Sequence, residues 1–439
     1  MKNSKKHIYI PIEIFYREFL QKLYLASKAI KKNYRVYLGT KHGIDKILDQ
    51  KIKLNQFGGI YFYKGNIIQN KNYWDKIMKT CESFVSLDEE LGPAVPNKKL
   101  SLSIRAIFDK RIKKFFVLSS QWKKQIIKKD KRFKNIIVNS GWPKYDLISD
   151  KNFSYYLQES KKIKKKFGSF FLFSSNFGTL SDQGLKKMMS NLNNNYSKSF
   201  CRKRKKLFEK NLRDFYDFIK ELNSYYLNGG KKKIIIRPHP SEFFHHDWKK
   251  NIKNIEDKID VVYEKDIVPW IIASDGLIHR GCGTSIDAYI LNKKAYYLTP
   301  KRKIKEYEKN LPYKISKRIK NLKDLENDKK RVNFNKNFFS KEVENFKNIN
   351  SSEKIVKEMD KLNTIIECPL REENYIKMKF IFYMIKFRIK KFLSTNVNVK
   401  FPKIIEKSLV KNFFKDLKIK SKINIKRINA ETLEIELNK

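Results

Sequence analysis

Two short turns carry residue types that bind and handle phosphate. The first is Arg237-Pro238-His239-Pro240-Ser241-Glu242, and three apolar residues lead straight into it. A turn so placed sits at the C-terminal end of a strand, where open α/β sheets receive ligands. Two prolines stiffen it and hold Arg237 and His239 in place. A guanidinium and an imidazole there can bind a nucleotide phosphate and stabilise charge on a leaving group. The plain alternative is a capped loop with a structural histidine; the grouping of these residues at a strand end favours the phosphate reading.

The second turn is His279-Arg280-Gly281-Cys282-Gly283-Thr284-Ser285-Ile286-Asp287-Ala288, with a strand before it and a helix after it. Glycine lets a backbone approach a ligand closely, and the free N–H groups of a helix start favour an anion. Thr284 and Ser285 add hydroxyl donors. Asp287, one turn in, can accept from ribose hydroxyls or simply suit the helix dipole. The spacing lacks both the Walker pattern and GxGxxG, so neither a P-loop nor a dinucleotide-binding dehydrogenase is indicated. Between the turns, Asp266-Ile267-Val268-Pro269-Trp270 starts a helix with Pro269 in its first turn. Its backbone can read a nucleobase, or Trp270 can be core.

A transfer reaction also needs a base for the acceptor hydroxyl. Glu13, Arg17 and Glu18 follow the first strand, and Asp88-Glu89-Glu90 follow a later one. Glu13 and Arg17 share a helix face, so a surface ion pair is the plainer reading of that pair. Either group can supply the base, through Glu13 or Asp88.

The elements that position these residues alternate. Ile8–Ile12 reads as a buried strand. Ile14–Lys31 has helical spacing, with Phe15, Phe19, Leu23, Ala26 and Ile30 on one face. Tyr34–Leu38 is the next strand, and others follow at Gly58–Phe62, Ser83–Leu87, Lys114–Leu118 and Asn135–Val138, with a helix at Trp122–Lys128. These make a first domain over 1–150. Lys151–Phe167 is a charged helical linker. Strands at Ser169–Ser174, Lys233–Arg237, Asp260–Tyr263, Gly276–His279 and Ala295–Leu298, with a long helix at Lys203–Leu227, make a second doubly wound domain over 165–345. Residues 346–439 read as a basic helical extension. Within it, 375–393 mixes apolar and basic residues at helical spacing, suited either to an anionic membrane surface or to packing on the body.

The 439 residues carry a formal charge of +52, mostly from Lys, and 41% are hydrophobic. Abundant Lys, Ile and Asn point to an AT-rich genome, which discounts the charge. The basic surface still favours anionic or phosphorylated partners, but no nucleic-acid module is present, so no specific nucleic acid is expected. The four cysteines lie far apart without a CxxC pair, which argues against zinc and disulfides and fits a reducing cytosol. The N-terminal run is broken by Pro11 and Glu13 and is no signal peptide. No stretch approaches the length of a membrane span.

In order along roughly residues 8 to 300, the pieces IPIEIFYREF, YRVYLGTK, GGIYFYKG, SLDEELG, NSGWPKYDL, FLFSSNF, IIIRPHPSEFFHHDW and VPWIIASDGLIHRGCGTSIDAYILNKKAYYL resemble the bacterial surface carbohydrate biosynthesis proteins. That family is similar to two-domain glycosyltransferases of the GT-B type. The resemblance implies two Rossmann-like domains facing a cleft, with no metal and no cofactor beyond a nucleotide-sugar substrate. It also implies transfer to a glycan or lipid-linked glycan acceptor, as in O-antigen or capsule synthesis; the cysteine usage suits a cytoplasmic enzyme, and the 375–393 segment, where it docks on anionic lipid, one peripheral to the inner face of the cell membrane. His239 takes the donor-phosphate role, with Arg237, Ser241, Glu242, His279, Gly281, Gly283, Thr284, Ser285 and Asp287 as the donor site. Asp287 stands where the pattern has Glu, and His279-Arg280-Gly281 also departs from it. The Arg-Pro-His-Pro turn is similar to that of Kdo transferases, which suggests a CMP-activated sugar. CDP-glycerol glycerophosphotransferases share the fold and the turn, so polyol-phosphate transfer is the alternative chemistry. A basic protein that only binds anionic membrane or nucleic acid is the alternative without catalysis.

Overall fold

The computed structural model describes residues 5–65, 71–89, 108–149, 153–178, 181–193, 198–239, 255–263, 266–299, 311–326, 350–362, 405–419, 423–429 and 431–437, with Glu242, Trp248, Asn251 and Ile252 as isolated positions. The chain divides into two compact units: the described parts of 1–92, 98–155 and 337–439 form the first, and those of 156–336 the second.

Six parallel strands organise the first unit: β1 (Lys6–Ile12), β2 (Tyr34–Thr40), β3 (Ile60–Lys64), β4 (Ser83–Leu87), β5 (Ile112–Val117) and β6 (Ile137–Asn139). Their spatial order is β2-β1-β3-β4-β5-β6, so the order reverses between β1 and β3. Near-continuous apolar strands are what a parallel sheet covered on both faces demands, and β1, β2, β3 and β4 are buried almost throughout. The helix Phe15–Lys31 buries the predicted stripe of Phe15, Phe19, Leu23, Ala26 and Ile30. Beyond its end Asn33 takes a left-handed φ of 62°, a residue type that tolerates this termination.

A second parallel sheet forms from β7 (Phe171–Ser174), β8 (Ile234–Arg237), β9 (Ile259–Val261), β10 (Gly276–His279), β11 (Ala295–Leu298) and β12 (Lys317–Ile319). The order β12-β11-β10-β7-β8-β9 places the reversal between β7 and β10. One face is closed by the 30-residue helix Lys198–Leu227, which contributes Phe215, Phe218 and Leu222 to a core around Trp248. The other face is closed by the helix Val268–Ala273, with Trp270 and Ile271 packed among Phe170, Leu172 and Leu277.

The end of the chain departs from the expected helical extension. Its described parts are the helices Ser351–Asp360 and Lys407–Asp416 and the strands β13 (Ile423–Asn429) and β14 (Thr432–Leu437), all within the first unit. The hairpin adds to the β2 edge, with β14 antiparallel to β2 through Leu433↔Leu38 and Ile435↔Val36. An open sheet edge needs a cover, and the alternation of Leu433 and Ile435 with Glu434 and Glu436 has the period of two that a strand supplies. Arg35 secures it, with its guanidinium 2.8 Å from Glu436 and 3.8 Å from Glu434. Gly39 is required here, because a Cβ would lie 2.3 Å from the Glu431 carbonyl oxygen. The buried Asp146 accepts from the backbone N–H groups of Ser351 and Ser352 at 2.8 and 2.6 Å, capping the helix Ser351–Asp360. Residues 375–393 lie outside the described residues.

Candidate functional site

Strand register brings the two predicted turns together. Ser174 at the end of β7 pairs with Arg237 at the end of β8 on one side and with His279 at the end of β10 on the other. Adjacent strands lie about 4.8 Å apart, so the Arg237 and His279 backbones stand about 10 Å apart across β7. Both turns leave the same edge of one sheet, flanking the Ser174-Ser175-Asn176-Phe177-Gly178 loop at the point where strand order reverses. In such sheets that crevice is the ligand site.

Glu242 holds two of these loops in one arrangement. Its fully buried carboxylate accepts from the Ser175 hydroxyl, from Gly178 N–H at 2.9 Å and from His239 N–H at 3.2 Å. Burial raises its pKa against the pull of those donors. Glu242 therefore shapes the Pro-rich turn rather than facing its exterior. Arg237 is 8% exposed, with its guanidinium 5.6 Å from the centre of the Trp270 ring. Of the two readings of Trp270, the structure shows the core one: the ring packs on Phe167 and Phe170 and is a shelf for Arg237. His239 is exposed at the tip, and Ser241 lies outside the described residues.

The Gly-rich turn is built around a neutral histidine. His279 is fully buried; its Nδ1 accepts from Gly281 N–H at 3.1 Å, which leaves the proton on Nε2 to bond Ser316 Oγ at 2.8 Å. Ser316 in turn donates to the Pro312 carbonyl at 2.6 Å, consistent with that tautomer. Burial lowers the His279 pKa to about 3, so the ring offers no positive charge to a donor near neutrality. Where a donor contact was expected at His279, both ring nitrogens are taken up in forming the turn. Gly281 sits at φ 92°. Arg280 turns onto the helix Lys198–Leu227, bonding the Asp214 carbonyl and lying 3.6 Å from its carboxylate, with Phe177 beneath. Gly283 is exposed with open space around it. Thr284 Oγ1 is buried and has no hydrogen-bond partner among the described residues. Ser285 Oγ donates to the Cys282 carbonyl at 2.9 Å, and Asp287 is 1% exposed. Ser174 Oγ reaches Cys282 Sγ at 3.6 Å, joining the β7 loop to this turn. Sequence reasoning left Ser174 and Ser175 out of the site, although the polar run closing an apolar strand marked the loop.

At the edge of the first sheet the furnishing is ionic. Glu18 is fully buried and saturated: Lys64 reaches one oxygen at 2.8 Å, while Lys22 at 2.9 Å and Glu13 N–H at 3.0 Å share the other. Burial alone would raise its pKa, but Lys22 and Lys64 override that and bring it down to about 2. Lys64 ends β3 and also lies 3.3 Å from the Glu13 carboxylate, which is 43% exposed. Beside β3, β4 pairs Leu87 with Lys64 and leads into Asp88 and Glu89, both buried. The Asp88 carbonyl accepts from Trp142 Nε1 at 2.7 Å. Among the described residues, neither Glu89 oxygen has a hydrogen-bond partner. Burial raises the Glu89 pKa against the pull of Lys22, and negative Glu18 adds to the rise. The structure thus gathers Glu13 and Asp88 at one edge, and Arg237, His239, Glu242, His279, Gly281, Gly283, Thr284, Ser285 and Asp287 at another.

Among the described residues, no helix is long and apolar enough to cross a membrane. No family model matches the chain, and no curated protein does. Solved structures do resemble it in architecture. The S. aureus MnaA–UDP complex covers 81% of this chain and 96% of its own, at 12% identity and TM-score 0.46. The UDP-GlcNAc 2-epimerase of Methanocaldococcus jannaschii, with UDP-GlcNAc and UDP, covers 81% and 99% at 13% and 0.49. The wall teichoic acid polymerase TagF covers 81% and 89% at 13% and 0.47. All are GT-B-type α/β enzymes, and likeness at this level names no substrate or reaction for this chain.

Proposed function

We propose that this protein transfers a glycosyl group from a nucleotide-activated sugar to a surface-glycan acceptor, with the second unit holding the donor. The observation that carries this reading is the register of Ser174, Arg237 and His279 in one row, which sends a Pro-rich and a Gly-rich turn from the same edge at the reversal of strand order. Arg237 on its Trp270 shelf and His239 at the tip supply positive charge and donors for the phosphates. The Gly283 backbone and the Thr284 hydroxyl, which has no hydrogen-bond partner among the described residues, supply neutral donors. In the reaction the acceptor oxygen bonds the anomeric carbon as the bond from that carbon to the phosphate oxygen breaks. The electron pair leaves with the nucleotide, where Arg237 and His239 stabilise it, and the acceptor proton passes to a general base. These residues carry the phosphate chemistry without a metal, so EDTA is expected to leave turnover unchanged.

The test is a thermal-shift series with CMP, UDP, GDP and CDP, followed by nucleotide release from CMP-sugars, UDP-sugars and CDP-glycerol. One nucleotide is expected to raise the melting temperature, and Arg237→Ala to abolish the rise. Release from CDP-glycerol alone would replace glycosyl transfer by polyol-phosphate transfer. No shift with any nucleotide would overturn the reading.

A further inference from the structure

Strands β1 to β6 run parallel, so the connections that enter them line up along the edge of the first sheet opposite Glu13 and Asp88. The connection entering β3 differs from an ordinary polar turn. Ile52, Leu54 and Phe57 are 45%, 54% and 46% exposed within six residues. Single exposed apolar residues are ordinary, whereas three in one turn make a patch. The turn is firmly built. Leu54 N–H donates to the Gln50 carbonyl at 3.0 Å, Gln56 N–H to the Lys51 carbonyl at 2.8 Å and Gly58 N–H to the Thr80 carbonyl at 3.1 Å. Asn55 takes φ 49°, and the buried Lys51 ammonium donates to the Gly58 carbonyl at 2.8 Å. A backbone held this way keeps the three side chains outward.

Positive charge surrounds them. Lys53 lies in the turn, Lys31 and Lys32 precede β2, Lys79 precedes β4, and Lys131 and Lys134 precede β6; all six are exposed. The acidic groups of the described connections are Glu82, Asp109 and Asp130, and the last two are bound by Arg111 and Arg132. At about 4.8 Å per strand, the row from β2 to β6 spans about 24 Å with β3 inside it. An apolar tip within a field of lysines is what an interfacial membrane contact combines, since buried apolar area and attraction to anionic lipid add. A soluble polyanion would engage the lysines but leave the three apolar side chains in water.

We propose that this edge of the first unit docks on an anionic phospholipid bilayer, with Leu54 and Phe57 entering the boundary between headgroups and acyl chains and the lysines meeting lipid phosphates. The contact uses none of the donor-site residues and is distinct from residues 375–393.

Full-length protein is floated with vesicles of phosphatidylglycerol and phosphatidylcholine, and with phosphatidylcholine alone. Wild type is expected to float with the anionic vesicles only. The double variant Leu54→Gln, Phe57→Gln should bind about tenfold or more weakly, and Lys32→Gln, Lys53→Gln about 20-fold more weakly. Both should keep the wild-type melting temperature, because the four side chains are exposed. High salt should weaken wild type but leave the apolar share of its binding. Phe57→Trp localises the contact: relative to wild type, its added fluorescence should shift to the blue with anionic vesicles and be quenched by brominated acyl chains. Failure of wild type to float with anionic vesicles would overturn the assignment, as would wild-type binding by both double variants or a Phe57→Trp spectrum indifferent to vesicles. Binding that falls with the lysine variant but not with the apolar one would reduce the edge to a polyanion surface and also overturn it. A wild-type dimer that Leu54→Gln, Phe57→Gln makes monomeric, with vesicle binding unchanged, would give the patch to a second copy of the chain instead.

Discussion

At the edge of the first sheet a buried carboxylate is met by charge: Glu18 has Lys22 at 2.9 Å and Lys64 at 2.8 Å. At the edge of the second, the buried carboxylate of Glu242 is met by a hydroxyl and backbone N–H groups. The histidine of that edge is held neutral. Both edges lie where strand order reverses in a parallel sheet, so the backbone architecture does not distinguish them; the side chains do. Ionic groups in close contact move one another's proton affinities, which suits an edge that handles protons. Fixed backbone donors keep their polarity at any pH, which suits an edge that holds a phosphate.

The contrast breaks first at His239, the exposed member of the second edge. His239→Ala is expected to lower turnover about 10²–10³-fold if it stabilises the departing phosphate. The fold should be untouched, because the bond to Glu242 comes from the His239 backbone. Steady-state kinetics beside a melting curve check this, and an unchanged kcat would return His239 to the solvated surface.

Glu242→Ala tests the opposite property, shape without charge chemistry. Its removal strands the Ser175 hydroxyl and two N–H groups. A buried donor left unpaired costs about 1–3 kcal/mol, so a loss of about 3 kcal/mol in urea unfolding is expected. The donor KM should rise with it, while a transition with wild-type midpoint would show that the loops hold without the staple.

The neutral histidine gives a pH dependence with a definite sign. Burial holds His279 at about 3 in the folded protein, against about 6.5 unfolded. Between these values the unfolded chain binds the extra proton, so the stability present above pH 6.5 is lost progressively as pH falls toward 3. The loss is on the order of 4–5 kcal/mol. His7, in the first unit, is lowered by burial, Arg35 and Lys51 and acts in the same direction. His279→Gln should therefore flatten only part of the acid slope in unfolding curves, and His7→Gln a further part. An unaltered slope in His279→Gln would mean that the ring is not buried neutral.

Much of this architecture was legible in the residues. Apolar runs ending in polar or glycine turns fixed β4, β10 and β11 to the residue, and the stripe from Phe15 to Ile30 gave the first helix within one position. The two turns were found because their residue types are rare in company. Harder to read was direction. Glu242, His279 and Asp287 sit in the turns predicted to face a donor, yet all three point into the fold, and a string of residue types does not say which face of a turn a side chain takes. Asp88 and Glu89 stood together in the acidic run, and that both are buried is set by packing between residues distant in sequence. The terminal hairpin escaped because the surrounding Lys-rich tail reads as helix. The alternation of Leu433 and Ile435 has meaning only against the β2 edge some 400 residues earlier, as the Arg35–Glu436 bond spans.

The smallest expected effect separates backbone from side chain within the Gly-rich turn. Gly281 has φ 92°, and a Cβ there would meet only Tyr297 Cε2 at 3.8 Å. Space is therefore available, and the cost of Gly281→Ala is conformational, about 1–2 kcal/mol for an L-residue in that region. Gly283 has φ −62° and open surroundings, so Gly283→Ala is expected to be neutral in stability. If the turn is a phosphate cradle, the two variants diverge in opposite senses. Gly281→Ala shifts the melting temperature slightly and disturbs the N–H bonded to His279. Gly283→Ala leaves the fold alone but places a methyl where the phosphate approaches, and weakens the nucleotide-induced thermal shift. Equal nucleotide shifts in wild type and Gly283→Ala would remove that backbone from the donor site and leave the neutral edge with a structural role only.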